Sequence, residues 1–318
     1  MTIERIAIDP VKGREAWLAL RQRDITASDV PAVCGEGLFG SPAKVWAEKR
    51  GLIGAAEMSE PMKRGIWGEA AVFEAIAWEY PDWEIRRAKV FLRDGSIGLG
   101  ATPDGACIIP GRDGVGIIQA KVISLPVFQR DWIGEHDDID DVATPVTPPL
   151  AYQLQTLTEG MLADAAYTII AALVVDTFKW RLRIVFGERH AGAETMIREK
   201  VVHFRSAYLE TGIQPAIDPT RDEELVRKLF PESNGMEVDL SADNELPELI
   251  DQMQAAKAEI KLQDEIVESA ATAIKAKIGP HEAARVAGGG RLTHKTQNRK
   301  AYSVEATSFR VLRVSKGR

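Results

Sequence analysis

The sequence has little of what disulfide scaffolds, cysteine-ligated metal sites or membrane spans require. Among its 318 residues are only two cysteines, Cys34 and Cys107, and their separation fits no metal-ligand spacing. We therefore expect reduced, buried thiols in a cytoplasmic protein. The longest apolar run, residues 168–175, is far too short to cross a bilayer, and the first residues have no signal-peptide pattern.

Positive charge is scarce over most of the chain and concentrated at its end. The net charge of −7 argues against a uniformly basic surface for nucleic acid. Residues 288–318 contain one acidic residue, Glu305, and eight basic ones, so this tail carries +7 and the remainder −14. The basic residues are Arg291, Lys295, Arg299, Lys300, Arg310, Arg313, Lys316 and Arg318. The tail is either a contact for an anionic partner or a solvated terminal segment.

The pattern of segments predicts an α/β or α+β fold, with a central mixed sheet flanked by helices. Predicted helices cover residues 13–20, 43–50, 62–80, 150–163 and 191–212, and predicted strands cover 84–91, 98–104, 116–122, 166–175 and 179–186. The helix over 62–80 is expected to bury Ile66, Ala70, Phe73, Ile76 and Ala77. The acidic, proline-bearing segment 124–149 is expected to be a mobile flap.

The C-terminal part is predicted to be an appendage. We expect a core over residues 1–220, a linker with a short helix over 221–244, and an appendage over 245–318. The appendage begins with a long helix, 245–278, and continues with two β-like runs, 282–296 and 301–314, that are expected to pair as a basic hairpin. Apolar residues recur every seventh position along the helix, at Leu246, Met253, Ile260, Val267 and Ile274. This stripe either supports self-association or packs on the body.

A carboxylate and a polar-x-Lys pair stand on neighbouring strand-like segments. Asp104 precedes a glycine-punctuated hairpin, and the next strand ends with Gln119-Ala120-Lys121. Because side chains alternate along a strand, Gln119 and Lys121 are expected to share one face. Such a sheet edge suits magnesium, with Asp104 as an oxygen ligand and Lys121 holding a water or a phosphate. Alternatively, Asp104 belongs to an Asp-Gly turn and Lys121 protects a sheet edge.

Two further clusters are candidates. Arg21 and Ser28 offer a guanidinium and a hydroxyl to one anion, or Ser28 belongs to a simple N-cap box at residues 26–29. Glu69 follows Gly65 and Gly68 in a helix, and it is either functional or a solvent-facing residue that complements the helix dipole.

The order of these clusters resembles the YqaJ family of viral recombinases, relatives of lambda exonuclease in the PD-(D/E)XK nuclease superfamily. Arg21 stands seven residues before the Ser of Ile25-Thr26-Ala27-Ser28. Residues 46–52 are similar to a W-x-x-K-x-G helix end, and Gly65 to Glu69 to the G-x-x-x-E motif. Thr102-Pro103-Asp104-Gly105 is similar to the T-P-D-G box, Gln119-Ala120-Lys121 to the E-x-K strand, and Gln153-Leu154-Gln155 to the Q-V-Q helix.

The resemblance implies roles for these residues. Arg21 and Ser28 would bind the 5′-phosphate of DNA, and Glu69 would orient a metal-bound water. Asp104, Gln119 and the Ala120 carbonyl would hold Mg²⁺, for which Mn²⁺ can substitute. Lys121 would activate the attacking water, and Gln155, or else Gln153, would orient the catalytic groups. Gln153 would otherwise take part in DNA binding. Gln119 departs from the family pattern, because an amide brings no charge where the family has a glutamate.

The resemblance further implies a magnesium-dependent 5′→3′ exonuclease that acts on double-stranded DNA ends and leaves 3′ overhangs for phage-type recombination. Its partner would be a single-strand annealing protein of the RecT or Red-beta type. It would be a homo-oligomer, a trimer if it follows lambda exonuclease, encoded by a phage or prophage and cytoplasmic in the bacterial host. The alternatives are a structure-specific endonuclease of the same fold and a catalytically weakened DNA-end-binding factor.

Overall fold

A computed structural model describes residues 2–8, 13–38, 40–54, 59–134, 145–300 and 309–314. The chain divides into two compact units, Met1–Leu229 and Phe230–Arg318. The predicted linker over 221–244 stays a prediction. Its predicted short helix is present and lies at the end of the first unit. Within the described residues, every helix falls short of the length and apolarity that a bilayer crossing needs.

The first unit contains a mixed sheet of five strands. The described strands of the whole unit, in this sheet and in the smaller ones, are β1 (Ile3–Ala7), β2 (Ile25–Thr26), β3 (Glu84–Arg87), β4 (Val90–Asp94), β5 (Leu99–Ala101), β6 (Gly105–Ile108), β7 (Gly116–Ser124), β8 (Ile133–Gly134), β9 (Val146–Thr147), β10 (Tyr167–Val175) and β11 (Trp180–Glu188). The five-stranded sheet has the order β11-β10-β7-β6-β3, in which β7 and β10 are parallel and the other pairs are antiparallel. A second sheet has the order β1-β4-β5-β2.

Helices cover both faces of the five-stranded sheet. The described helices of this unit are α1 (Gly13–Arg23), α2 (Val30–Val33), α3 (Pro42–Lys49), α4 (Glu60–Glu79), α5 (Leu125–Asp131), α6 (Leu150–Ala163), α7 (Ala191–Phe204), which continues as a π-helical turn (Arg205–Leu209), and α8 (Glu223–Leu229). On one face, α4 packs on alternate residues of the central strands, such as Ile118 and Ile169. On the other face, Ile123 and Ile170 pack with Phe128 of α5. The predicted fold class, a mixed sheet flanked by helices, is confirmed.

Two local predictions are wrong in part, and each has a physical reason. The strand predicted over 84–91 is broken, because the Ala88 amide donates to the Asp104 carbonyl at 3.0 Å while the Ile8 amide donates to the Lys89 carbonyl at 3.1 Å. Its two halves therefore join different sheets. The segment predicted as a flap begins with α5, because Phe128 is fully buried against the sheet. Residues 135–144 of that segment lie outside the described residues.

The buried face of α4 also differs from the prediction. Phe73 and Ile76 are buried with Val72, whereas Ala70 and Ala77 are exposed and Ile66 is 54% exposed. The helix approaches the sheet closely only from its middle onward. At Gly68 an added Cβ would lie 2.6 Å from the Val122 Cγ2, and at Gly65 it would meet nothing within 4 Å. An apolar residue before Gly68 therefore has no sheet to pack on.

The second unit consists of a long helix and a short hairpin. Helix α9 spans Leu246–Ile278, and strands β12 (Ala283–Arg285) and β13 (Arg291–Thr293) pair antiparallel. The hairpin thus forms within the first predicted run, because Gly288 and Gly289 have positive φ values of 84° and 85° and turn the chain there. Residues 301–308 of the second run lie outside the described residues, and 309–314 form no strand. Of the seven-residue stripe, Ile260 and Val267 are more than half exposed.

Candidate active site

Asp104 is fixed against strand β7 by two donors. Its Oδ2 accepts the Ala120 amide at 2.8 Å and also the side-chain amide of Gln119. Asp104 stands at the start of β6, where an added Cβ at Gly105 would lie 2.6 Å from the Phe73 ring. The glycine lets the chain pass beneath α4 and turns the carboxylate toward β7. The T-P-D-G box therefore has a steric reason as well as a chemical one.

Strand β7 presents Gln119 and Lys121 to helix α6. The Lys121 Nζ donates to the Gln155 Oε1 at 3.1 Å, and the Gln155 Nε2 donates to the Gln119 Oε1 at 2.9 Å. Both side chains thus lie on the α6 face, as strand alternation predicts, while Ala120 packs on the α4 side. Gln119 is 5% exposed, and its two amide ends are engaged by Asp104 and Gln155. A continuous chain of hydrogen bonds joins Asp104, Gln119, Gln155 and Lys121.

Glu159 extends this chain and was not predicted from the sequence. The second hydrogen of the Gln155 Nε2 is donated to the Glu159 Oε1 at 3.0 Å. Glu159 is 1% exposed and follows Gln155 by one helical turn. The four-residue spacing places both on one helix face. No sequence motif identifies Glu159 as a site residue, because this glutamate becomes buried only when α6 packs on the sheet.

The site holds more buried acid than one lysine balances. Burial raises the pKa of Asp104 to about 6, and the charge of Glu69 adds to this effect while the Ala120 amide, Lys121 and Arg87 oppose it. Burial and the charge of Asp104 raise the pKa of Glu159 well above its usual range. Burial also lowers the pKa of Lys121, although Glu159 and Asp104 counteract it. An additional cation would relieve this excess of acid.

Glu69 pairs with Arg87 at the edge of the same site. The Arg87 Nη2 donates to the Glu69 Oε1, and the guanidinium lies 5.4 Å from the centre of the Phe73 ring. The Glu69 side chain is 31% exposed. Gly68 brings this part of α4 against β7, so the Glu69 charge reaches Asp104. The predicted role of Glu69 toward a metal-bound water stays a prediction.

Arg21 and Ser28 form a second cluster of polar groups. The Arg21 Nη2 donates to the Ser28 Oγ at 2.8 Å, and its guanidinium lies 4.7 Å from the centre of the Trp17 ring. The predicted N-cap box at residues 26–29 is confirmed in position, because α2 begins at Val30 with Asp29 as its N-cap residue, but no side chain makes a capping bond to this helix. Asp29 instead accepts the Thr26 amide at 2.8 Å. Ser28 is exposed, which leaves its hydroxyl available for an anion.

Ser28 and helix α6 line one cavity. A cavity of about 160 Å³ is lined by Ser28 on one side and by Tyr152 and Gln155 on the other. The Lys121 Nζ lies 4.8 Å from the centre of the Tyr152 ring, and so it faces this end of α6. A phosphate bound at Ser28 would therefore lie near Gln155, which hydrogen-bonds Lys121 and Gln119.

Gln153 lies elsewhere. Its Nε2 donates to the Pro148 carbonyl at 2.7 Å, and its side chain lines a different cavity of about 480 Å³ between α6 and strands β10 and β11. Gln155, rather than Gln153, shares hydrogen bonds with the Asp104 site. The predicted role of Gln153 in DNA binding stays a prediction.

The donor atoms of the site suit a hard cation. The described residues contain no group of three or more His, Cys, Asp and Glu side chains arranged for a metal ion. The site instead combines the Asp104 carboxylate with the Gln119 side-chain amide and the Ala120 carbonyl. The Glu159 Oε2 is buried and has no hydrogen-bond partner. Carboxylate, amide and carbonyl oxygens are the ligands of Mg²⁺, so the residues present fit this ion.

Comparison with protein families decides the affiliation. Residues 16–165 match the model of the YqaJ-like viral recombinase domain. These residues belong to the YqaJ-like family. The match covers the Arg21 and Ser28 cluster, Glu69, Asp104, Lys121 and all of α6. The predicted family is confirmed for these residues, and with it the predicted enzyme class, a nuclease.

Three solved structures that are similar to this chain, each at low sequence identity, are named as exonucleases. The LHK-Exo structure in complex with dAMP is 18% identical, with a TM-score of 0.49 over 67% of this chain and 98% of its own. An alkaline exonuclease from Laribacter hongkongensis is 21% identical, with a TM-score of 0.46 over 67% and 97%. A phage-related exonuclease from Haemophilus somnus is 13% identical, with a TM-score of 0.43 over 59% and 94%. No curated protein gives a significant match.

Proposed function

We propose that the protein is a magnesium-dependent 5′→3′ exonuclease that degrades one strand from double-stranded DNA ends and leaves 3′ overhangs. The observation that carries this proposal is the chain of hydrogen bonds from Asp104 through Gln119 and Gln155 to Lys121. It fixes a carboxylate and an amine beside the central strand β7, and Gln155, which links them, lines a cleft that Ser28 also lines. A phosphodiester in this cleft would meet the groups that its hydrolysis needs.

Asp104, the Gln119 amide oxygen and the Ala120 carbonyl would hold the magnesium ion, once the Gln119 amide turns its oxygen instead of its nitrogen toward Asp104. When bound, the ion polarises the scissile phosphoryl oxygen and stabilises charge on the leaving oxygen. Lys121 would position the attacking water and accept its proton, because burial lowers the pKa of this amine. Gln155 holds Lys121 through its Oε1 and thereby fixes the direction of the amine.

Attack on the second phosphate of the strand accounts for stepwise digestion. Water adds to phosphorus, the bond to the 3′-oxygen of the first nucleotide breaks, and that oxygen leaves with a proton. The released product is a 5′-mononucleotide, and the shortened strand again ends in a 5′-phosphate. Arg21 and Ser28 would bind this terminal phosphate by charge-assisted hydrogen bonds, so each cleavage recreates the group that they recognise.

The cellular role follows from family resemblance. Overhangs with 3′ ends are substrates for a single-strand annealing protein of the RecT or Red-beta type, which we propose as the partner. We also propose a homo-oligomer, a trimer by the same resemblance, encoded by a phage or prophage and acting in the bacterial cytoplasm.

The basic tail is proposed to contact DNA phosphates without sequence preference. The described basic residues beyond Gly288 are all exposed, and they are Arg291, Lys295, Arg299, Lys300, Arg310 and Arg313. Replacing the first four by Gln in the full chain should lower the slope of log affinity against log salt by about 3 to 4. The matched control replaces four exposed lysines of α9, namely Lys257, Lys261, Lys275 and Lys277. Equal slopes for the two variants would rule out the tail as a DNA contact.

The proposed activity is tested with linear duplexes that carry either a 5′-phosphate or a 5′-hydroxyl, digested in magnesium beside a closed circle. We expect faster digestion of the phosphorylated duplex and an intact circle. Cleavage of the circle would favour the endonuclease alternative. Absence of digestion across magnesium and manganese concentrations, with duplex binding intact, would favour the DNA-end-binding alternative. Lys121→Ala is the control, since it removes the amine and leaves Asp104 in place.

A further inference from the structure

Glu159 is a buried carboxylate that the roles assigned above leave unused. It is 1% exposed within α6, and its Oε2 has no hydrogen-bond partner. Its other oxygen accepts the Gln155 Nε2 at 3.0 Å. Burying a carboxylate oxygen without a partner is costly, so such a group normally has a compensating charge nearby.

The charges around Glu159 are those of the Asp104 site. Asp104 acts on Glu159 as a like charge, and Lys121 and then Arg21 act as opposite charges. The nearest amine does not neutralise Glu159 directly, because the Lys121 Nζ donates to Gln155. The Gln155 Nε2 donates at once to Gln119 and to Glu159. Glu159 and Gln119 are therefore neighbours across a single amide group.

Position 119 lacks the negative charge that a divalent cation needs. Gln119 is buried and its amide is already engaged, so it contributes at most a neutral oxygen. Of the two side chains at positions 104 and 119, only Asp104 then provides a carboxylate. A site with a single carboxylate binds Mg²⁺ weakly unless another group adds charge.

We propose that Glu159 supplies the second carboxylate of the cation site, in place of the charge that Gln119 lacks. This inference rests on the proposed magnesium-dependent function. Glu159 acts from helix α6, which covers strand β7, and the Gln155 amide links it to Gln119, whose missing charge it would supply. The buried, unpartnered oxygen of Glu159 then has a cause, a cation held at the Asp104 site.

The test measures binding of Mn²⁺ to the full-length protein by isothermal titration calorimetry, without DNA and at pH 8. Glu159→Gln keeps the shape of the side chain and its acceptor for Gln155, and it removes only the charge. We expect it to lower Mn²⁺ affinity at least tenfold. Glu74→Gln, on an exposed position of α4, is the charge-matched control and should bind as the wild type does.

A charge-relocation variant separates replacement from simple loss. Gln119→Glu combined with Glu159→Gln returns the carboxylate to the strand, and we expect affinity within a few-fold of the wild type. Thermal unfolding without metal should show that each variant is folded, and Glu159→Gln should be at least as stable as the wild type because a buried charge is gone.

Each outcome has a distinct meaning. If the wild type binds Mn²⁺ and Glu159→Gln binds equally well, the inference is wrong while the proposed function stands. If Glu159→Gln loses binding and the relocation variant does not regain it, Glu159 does not replace position 119. If the wild type binds no Mn²⁺ at all, the metal dependence of the proposed function fails together with the inference.

Discussion

Replacing Asp104 by Asn should stabilise the protein when no divalent cation is present. Burial raises the pKa of Asp104 from 3.8 to about 6 in the folded state. The folded state thus favours the protonated acid, and the stability that this gives is present below pH 3.8 and lost as the pH rises through about 6. The difference between the two values corresponds to about 3 kcal/mol, at about 1.4 kcal/mol for each pKa unit. Asn does not titrate, and its oxygen still accepts the Ala120 amide.

Urea unfolding at several pH values between 4 and 8, in the presence of a chelator, measures this effect. The free energy of unfolding of Asp104→Asn minus that of the wild type should rise by about 3 kcal/mol up to pH 7 and stay level above it. Asp113→Asn, in an exposed loop between β6 and β7, should show no such rise. At pH 8, added magnesium should stabilise the wild type and not Asp104→Asn. A difference that is independent of pH would refute the claim that Asp104 is a buried acid in a site built for a cation.

Three further variants test the other parts of the account. Lys121→Ala should lower the rate of nucleotide release by roughly 10² to 10⁴ with duplex affinity retained, and equal rates would contradict its role as proton acceptor. Arg21→Gln should reduce the preference for a 5′-phosphate over a 5′-hydroxyl about tenfold or more, because a charged hydrogen bond is lost, and an unchanged preference would exclude this contact. Ile118→Ala, in the sheet core, should lower the urea-derived free energy of unfolding by about 2 to 5 kcal/mol, whereas Ile108→Ala, at a 43% exposed site, should cost far less.

Local signals were sufficient for several elements of the fold. Helix α6 has the predicted bounds because prolines precede it and Asp164, with a φ of 51°, ends it in the left-handed conformation. The pairing of β10 with β11 follows from two adjacent apolar strands. The buried face of α4 was not predictable, because the helix is apolar on more than one side and only the approach at Gly68 selects one of them.

The candidate site was partly predictable for a similar reason. Asp104, Lys121 and Gln155 belong to motifs with fixed spacing, and strand alternation alone put Gln119 and Lys121 on one face. Glu159 belongs to no motif, and its importance arises from burial under tertiary contacts that a single sequence does not reveal. The partner of Glu69, Arg87, was equally hidden, because the pair joins a helix to a strand eighteen positions away.

Release of nucleotides from a linear duplex labelled along one strand tests the central claim most directly. With magnesium, the wild type should release 5′-mononucleotides in order from the 5′ end. Asp104→Ala should release none while it still binds the duplex. Release by Asp104→Ala at the wild-type rate, or no release by the wild type in either magnesium or manganese, would contradict the account.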